Sequence, residues 1–348
     1  MSTNPPANNE ATAEKLRELT ANYLPDASWT IGGAFRFDSS VQVILSALSN
    51  FFPLRKPNRV AGTVPCAWSL DWFVQRRPIP MAEYSQLLEN YAKQNIGVLL
   101  VFDNPFITAE QLEDTYALTL VDELYKRDRA RKNAVCVASD LLADHLRARI
   151  PHLSIVCHPN RLVNEPNRRT AQLYNKLLQK YTRVILHPAD AVRPAIYSAI
   201  AEPARLEVVM NDPCHRTCPV RREHMRLLAE MRRTPYNTQL MAQRESLITR
   251  NGCHKLDPKA LSQKLSCNLT RDEAQALHDA GIRSFIIQGN QFRNEMTLLW
   301  DIFQCLLDYS PDIDNKAAVI ATSIMAQFGA PSNSMPSGLR KFSFTNYE

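Results

Sequence analysis

At 348 residues, 45% hydrophobic and 22% charged, with a formal net charge of +6, the sequence has the composition of an ordinary globular protein able to bury a large core. That balance excludes a disordered or collagen-like chain, and no run reaches the roughly 18 apolar residues a membrane-spanning helix needs. The modest positive charge suits an anionic partner, nucleic acid or a small substrate, without demanding one.

The first residues, "MSTNPPANNEATAEK", are polar and rich in Pro and Asn, so residues 1–20 are expected to be a flexible segment with no secretory signal. A cytoplasmic location follows as the expectation, with the eight cysteines present as thiols or metal ligands rather than disulfides. Short β-rich runs then come at 28–35, 58–65, 96–102, 133–139, 153–157, 183–187, 205–210 and 284–288. Between them lie stretches with apolar residues three and four apart, among them "MAEYSQLLENYAKQN", "LLADHLRAR" and "RTAQLYNKLLQKY". Alternation of this kind implies parallel strands joined by crossover helices. Eight such units favour a (β/α)8 TIM-type barrel over a doubly wound open sheet, which shares the local pattern.

The barrel is expected to occupy residues 21–330, with a flexible tail at 331–348. Its connection from the seventh strand to the eighth is much longer than the rest. A helix is expected near 219–233, then a stretch without clean periodicity, "TPYNTQLMAQRESLITRNGCHKLDPKALSQKLSC", then the helix "RDEAQALHDAG". An insertion of that length, 211–270, is more often functional than connective.

In such a barrel the chemistry sits at the C-terminal ends of the strands. Those ends carry Asn104 after the third strand, His158 and Asn160 after the fifth, His187 after the sixth, and "NDPCHRTCPVRREH" after the seventh. His158, His187, His215 and His224 are the available proton-transfer groups. Asn104 and Asn160 are candidate substrate contacts, and Arg216, Arg221 and Arg222 candidate anion binders. Asp140 and Asp190, which precede helical runs, read instead as helix caps.

Cys214 and Cys218 stand four positions apart, and Cys253 and Cys267 fall later in the same connection. Four thiolates can hold tetrahedral Zn or an iron–sulfur cluster, because both take soft, charged sulfur ligands around a compact centre. Zn sites favour two tight pairs, whereas only the first pair is tight here; buried or redox thiols are the remaining alternative. Cys136 and Cys305 read as core residues.

The run from Leu153 to Cys218, "LSIVCHPNRLVNEPNRRTAQLYNKLLQKYTRVILHPADAVRPAIYSAIAEPARLEVVMNDPCHRTC", resembles the collagenase-like peptidase family, the U32 group. The later run "LSCNLTRDEAQALHDAGIRSFIIQGNQFRNE" resembles that family's "DL..L..AGVDSFKIEGR" segment. Together they span roughly the C-terminal half. The resemblance implies a barrel with a 4Fe–4S cluster on Cys214, Cys218, Cys253 and Cys267, in that order. It further implies oxygen-independent hydroxylation or related modification of a nucleic-acid base or other ring substrate, with prephenate the oxygen donor in some members.

Two departures stand out. The gap between the first two cysteines is shorter than the family's, and "KIEGR" is replaced by "IIQGN", ending at Asn290, which loses the Lys, the Glu and the Arg. Arg293, three residues on, is the candidate substitute. These losses favour an alternative in which Zn or a cluster staples the insertion of a non-catalytic barrel that binds nucleic acid or a protein partner. True proteolysis finds no support, since the chain has neither an HExxH motif nor a Gly-x-Ser-x-Gly elbow.

Overall fold

The structure, a computed structural model, describes residues 23–51, 57–70, 78–128, 130–165, 169–216, 218–253, 266–289 and 298, 301, 302 and 305. It divides into two compact units. The larger comprises Asp26–Val41 and Pro57–Gln291; the smaller comprises Met1–Pro25, Gln42–Lys56 and Phe292–Glu348.

The larger unit is a closed parallel barrel. Its strands are β1 (Ser28–Gly32), β2 (Arg59–Gly62), β3 (Gly97–Phe102), β4 (Ala134–Val137), β5 (Ile155–Cys157), β6 (Arg183–Ile185), β7 (Leu206–Val209) and, after the insertion, β10 (Ser284–Ile287). Each pairs with its sequence neighbour, and β10 closes the ring between β7 and β1. All eight expected strands are therefore present, in the order a (β/α)8 barrel requires.

Helices follow the strands as the apolar spacing predicts. They are α1 (Asp38–Phe51), α2 (Met81–Lys93), α3 (Thr115–Lys126), α4 (Asp140–Arg149), α5 (Ala171–Lys180) and the short α6 (Pro194–Tyr197). In α2 the residues Tyr84, Leu87, Leu88 and Tyr91 are buried, and in α3 Ala117, Leu120, Val121 and Leu124, each a three- and four-residue stripe. Asp114, Ser139 and Thr170 cap α3, α4 and α5 through side-chain oxygens that accept a backbone N–H of the first turn.

Alternation along the strands divides the barrel interior into layers. The middle layer is apolar: Ala61, Leu99, Ala134, Cys136, Val156, Ile185, Val209 and Ile286 pack together. Two residues earlier on β2, β6, β7 and β10 stand Arg59, Arg183, Glu207 and Ser284, so the layer towards the strand starts is ionic. The Glu207 side chain is fully buried, with its Oε1 2.6 Å from both Arg59 Nη2 and Arg183 Nε. Arg59 Nε also donates to Thr30 Oγ1, at 3.3 Å, and Arg183 Nη2 donates to Ser284 Oγ.

The insertion is more structured than its sequence suggests. β8 (Asn211–His215) and β9 (Ser266–Asn268) form an antiparallel ribbon, α7 (Arg221–Arg233) and α8 (Thr238–Arg250) follow β8, and α9 (Arg271–Asp279) returns to β10. The expected helix at 219–233 is α7. Helix α8 occupies a stretch that lacks clean periodicity, because only Arg244, Leu247 and Ile248 of its thirteen residues are buried and the first of these is charged.

Removing one partner of a buried ion pair leaves an uncompensated charge in the interior, at a cost of about 3–5 kcal/mol. Glu207→Ala is therefore expected to lower the unfolding free energy by about that amount, as read by urea denaturation. Substitution of the exposed Glu245 serves as the control and is expected to change it by less than about 0.5 kcal/mol.

Candidate metal centre at the barrel rim

The site is assembled by the ribbon that leaves β7. Asn211, buried, places its side-chain amide against the backbone of Gln288: Gln288 N donates to Oδ1 at 2.7 Å, and Nδ2 donates to the Gln288 carbonyl at 3.1 Å. This two-point pairing mimics a strand ladder and ties the start of β8 to the end of β10. Next to it, Gly289 approaches Gly32 so closely that a Cβ on Gly32 would lie 2.2 Å from Gly289 N. The Gly of "IIQGN" is thus required by backbone contact.

Asp212 stands opposite Cys267 in the ribbon, and His215 stands opposite Ser266. Pro213 and Cys214 are the two extra residues of a bulge between these pairs; Pro213 has no N–H to give a ladder. The bulge thus sets Cys214 beside the position of Cys267. Asp212, 2% exposed, steadies the turn by accepting from Cys214 N at 3.0 Å and from Arg221 Nη2 at 2.9 Å.

The Cys214 thiol is hydrogen-bonded to that of Cys218, and this contact, together with burial, holds its pKa well above that of a free thiol. Asn251, at the end of α8, directs its side-chain Nδ2 at two sulfurs, Cys218 Sγ at 3.7 Å and Cys253 Sγ at 3.5 Å. Two cysteines, Cys218 and Cys253, therefore meet at one amide, Cys214 joins them through its contact with Cys218, and the backbone of the fourth, Cys267, lies across the ribbon. Among the described residues, no three His, Cys, Asp or Glu side chains stand in ready ligand geometry.

Cations surround this group. Arg244 is only 7% exposed, and its guanidinium pKa falls to about 10 because of burial, an effect countered by Glu245 and by the sulfur of Cys253. Arg221 acts on Cys214 in the opposite direction to burial, favouring its thiolate. The thiols of Cys214, Cys218 and Cys253, flanked by two guanidiniums, suit a negatively charged thiolate centre, so these residues fit a cluster or a Zn ion.

The other expected site residues are placed as follows. Asn104 is fully buried and spends its side chain on the Ala67 carbonyl and the Phe106 N–H, and Asn160 donates to the Asp103 carbonyl. Arg216 makes a two-point pair with Glu273, at 2.7 Å for each bond. That carboxylate also completes the Thr270 capping box of α9. Arg222 Nε donates to Asn164 Oδ1. His215 lies in β8, and Arg293 lies outside the described residues.

The histidines behave alike in two cases. His158 Nδ1 accepts from Asn160 N and His187 Nδ1 accepts from Ala189 N, both at 3.2 Å, in the repeated pattern His-Pro-x. An Nδ1 used as acceptor fixes the ring proton on Nε2 in the neutral imidazole. Burial, reinforced by the Arg221 charge, lowers the His158 pKa to about 3 and depresses that of His187 strongly. His224, on α7, falls to about 4 from burial and from Arg244 and Arg221, and its buried Nε2 has no hydrogen-bond partner among the described residues.

Asp140 and Asp190 are not caps. Ser139 caps α4, while Asp140 receives the Tyr181 hydroxyl and pairs with Arg161; buried Asp190 takes Arg169 and the Tyr174 hydroxyl. The residues that sequence reasoning missed are Asp212, Arg244, Asn251 and Glu273. Only Asp212 carried a signal, its place in "NDPC".

Helix α7 spans the rim. Its start reaches Asp212 after β7 and Asn164 after β5, whereas Arg232 near its end donates to the Ser69 carbonyl after β2. Leu228 and Ala229 pack there against Leu70, with Phe106 and Met225 beside them.

The architecture and the site together define a (β/α)8 barrel whose seventh connection carries a thiol-rich centre at the C-terminal rim. No family model matches the chain, and no curated protein sequence does. Among solved structures, the chain is similar to one titled "The Structure of the U32 Peptidase Mk0906". The identity is 14% and the TM-score 0.45, over 76% of this chain and 92% of that one. The likeness is one of fold, and no site residue is assigned from it.

A histidine whose folded pKa lies below its unfolded value of about 6.5 makes the unfolded state the greater proton binder between the two. Stability is then complete above about pH 6.5 and falls as pH drops towards 3–4. Denaturation midpoints measured from pH 7 to pH 4 are expected to decline, and His158→Asn is expected to flatten the decline. Nitrogen-15 spectra should place the His158 and His187 protons on Nε2 at neutral pH; Nδ1–H signals would contradict the geometry.

Proposed function

We propose that this protein is an iron–sulfur-dependent modifying enzyme acting on a nucleic-acid base or another ring substrate, in an oxygen-independent hydroxylation or related reaction. In this reading Cys214, Cys218, Cys253 and Cys267 hold a 4Fe–4S cluster. The observation that carries it is the meeting of Cys218 and Cys253 at the Asn251 amide, with the Cys214 thiol hydrogen-bonded to Cys218 and the strand of Cys267 across the ribbon. A bound cluster would supply electron transfer.

The chain's own residues have narrower tasks. Cys214 gives up its proton on metal binding, because its thiol is protonated in the metal-free state. Asp212 holds Arg221 in place, and with it a positive charge beside the sulfurs. His158 and His187, neutral with Nδ1 engaged, would serve a substrate as Nε2–H donors rather than as bases. Proton transfer falls to His215, His224 and groups on the substrate.

One observation favours a second reading, a metal-stapled barrel that binds a partner without catalysis. Asn104, Asn160 and Arg216 are spent on internal contacts, which removes several candidate substrate binders. In that case Zn replaces the cluster.

Metal analysis of anaerobically purified protein separates the two. The enzyme reading expects brown protein with about four Fe per chain. Cys214→Ala and Cys253→Ala are expected to lose the iron, whereas Cys136→Ala, in the barrel core, keeps it. Colourless protein with one Zn per chain would support the second reading, and protein that takes up neither metal would sink both.

A further inference from the structure

Asn251 follows the last residue of α8 with φ −87° and ψ 0°, a conformation open to any residue. The left-handed position that ends the helix belongs to its neighbour Gly252, at φ +71°. The backbone therefore does not require an asparagine at 251, and the side chain is used otherwise. Its Nδ2 carries two hydrogens and faces two sulfurs, Cys218 Sγ at 3.7 Å and Cys253 Sγ at 3.5 Å. Those sulfurs come from opposite ends of the α7–α8 segment, and no backbone ladder joins the two ends.

We infer that Asn251 is a positioning residue for the thiol centre, donating one N–H to Cys218 and one to Cys253 so that both sulfurs are held and electronically tuned for a metal. This deepens the metal reading of the same site and rests on it. Donation to a sulfur lone pair does two things. It preorganises the ligand pair, and it lowers the energy of the sulfur electrons, which makes the thiolate a weaker electron donor to the metal. An outer-shell partner of this kind is typically worth about ten- to a hundredfold in metal affinity.

The test uses Co(II) alone, added under anaerobic conditions to the full metal-free chain. Thiolate-bound Co(II) shows a sulfur-to-metal charge-transfer band, whose intensity reports bound thiolates and whose energy reports how electron-rich they are. Asn251→Asp keeps the shape and the helix end but replaces the NH2 donor by a negatively charged acceptor. Asn251→Ala removes the donor without adding charge. Both are expected to bind Co(II) about ten- to a hundredfold more weakly and to shift the charge-transfer band to lower energy. Circular dichroism melts of both variants establish that they fold, and one folded variant suffices.

A folded variant with wild-type affinity and an unshifted band overturns the role of Asn251 while leaving the metal reading in place. Weaker binding with an unshifted band overturns the electronic part, since a merely structural loss would give that pattern. If the wild-type chain shows no charge-transfer band, the metal reading fails, and the role of Asn251 fails with it.

Discussion

The barrel is held in register by one buried carboxylate. Glu207 of β7 lies between Arg59 of β2 and Arg183 of β6, three strands of one ring that meet at its floor. Taking such charges out of water costs several kcal/mol per ion, so this layer is no cheap substitute for a hydrophobic one. Its gain is specificity of register. A slip of one residue in any of the three strands would turn a charge out of the lumen, towards the apolar inner faces of the helices. With the floor fixed, the apolar layer above it fixes the level of the mouth. The strand-end residues then emerge at defined positions, two residues above that layer: His158, His187 and Asn211.

From that mouth the insertion is built by anchoring each of its ends to the barrel. Asn211 ties the outgoing strand to β10, Asp212 ties the start of α7 to β8, and Glu273 ties Arg216 of the insertion to α9. These contacts are polar, directional and mostly buried, as they must be in a connection with too few apolar residues to make a core of its own. Their consequence is geometric: the chain leaves and re-enters the barrel at adjacent points, so the strand that carries Cys214 pairs with the strand that carries Cys267.

The barrel was legible in the sequence because its strands are largely buried and mostly apolar, with charges confined to Arg59, Arg183 and Glu207, and because helices such as α2, α3 and α5 carry clean stripes. The insertion was legible as its cysteines and as the helices α7 and α9, but not in between. Helix α8 escaped because it turns Arg244 inward, and a charged residue at a buried position breaks the periodicity that marks a helix. The ribbon escaped because "NDPCH" contains a bulge and a proline and does not alternate. Asn251 escaped because Asn-Gly reads as a turn, which is true of its glycine and conceals the work of its amide. The histidines show the converse error. Type and place pointed to acid–base chemistry, but the N–H two residues on, in each His-Pro-x unit, had already taken the nitrogen a base would need.

Charge is what links these parts to a single centre. Two guanidiniums, Arg221 and Arg244, bear on the thiol group from different helices, and both also depress the pKa of His224. Burial is the main reason the neighbouring histidines are neutral, and the positive charge of the arginines adds to it while favouring anionic sulfur. Asp212 pairs with Arg221 at 2.9 Å, and Glu245, largely exposed, stands 3.9 Å from Arg244. Burial keeps both the histidines and the Cys214 thiol uncharged, while Arg221 pulls that thiol the other way, towards its thiolate.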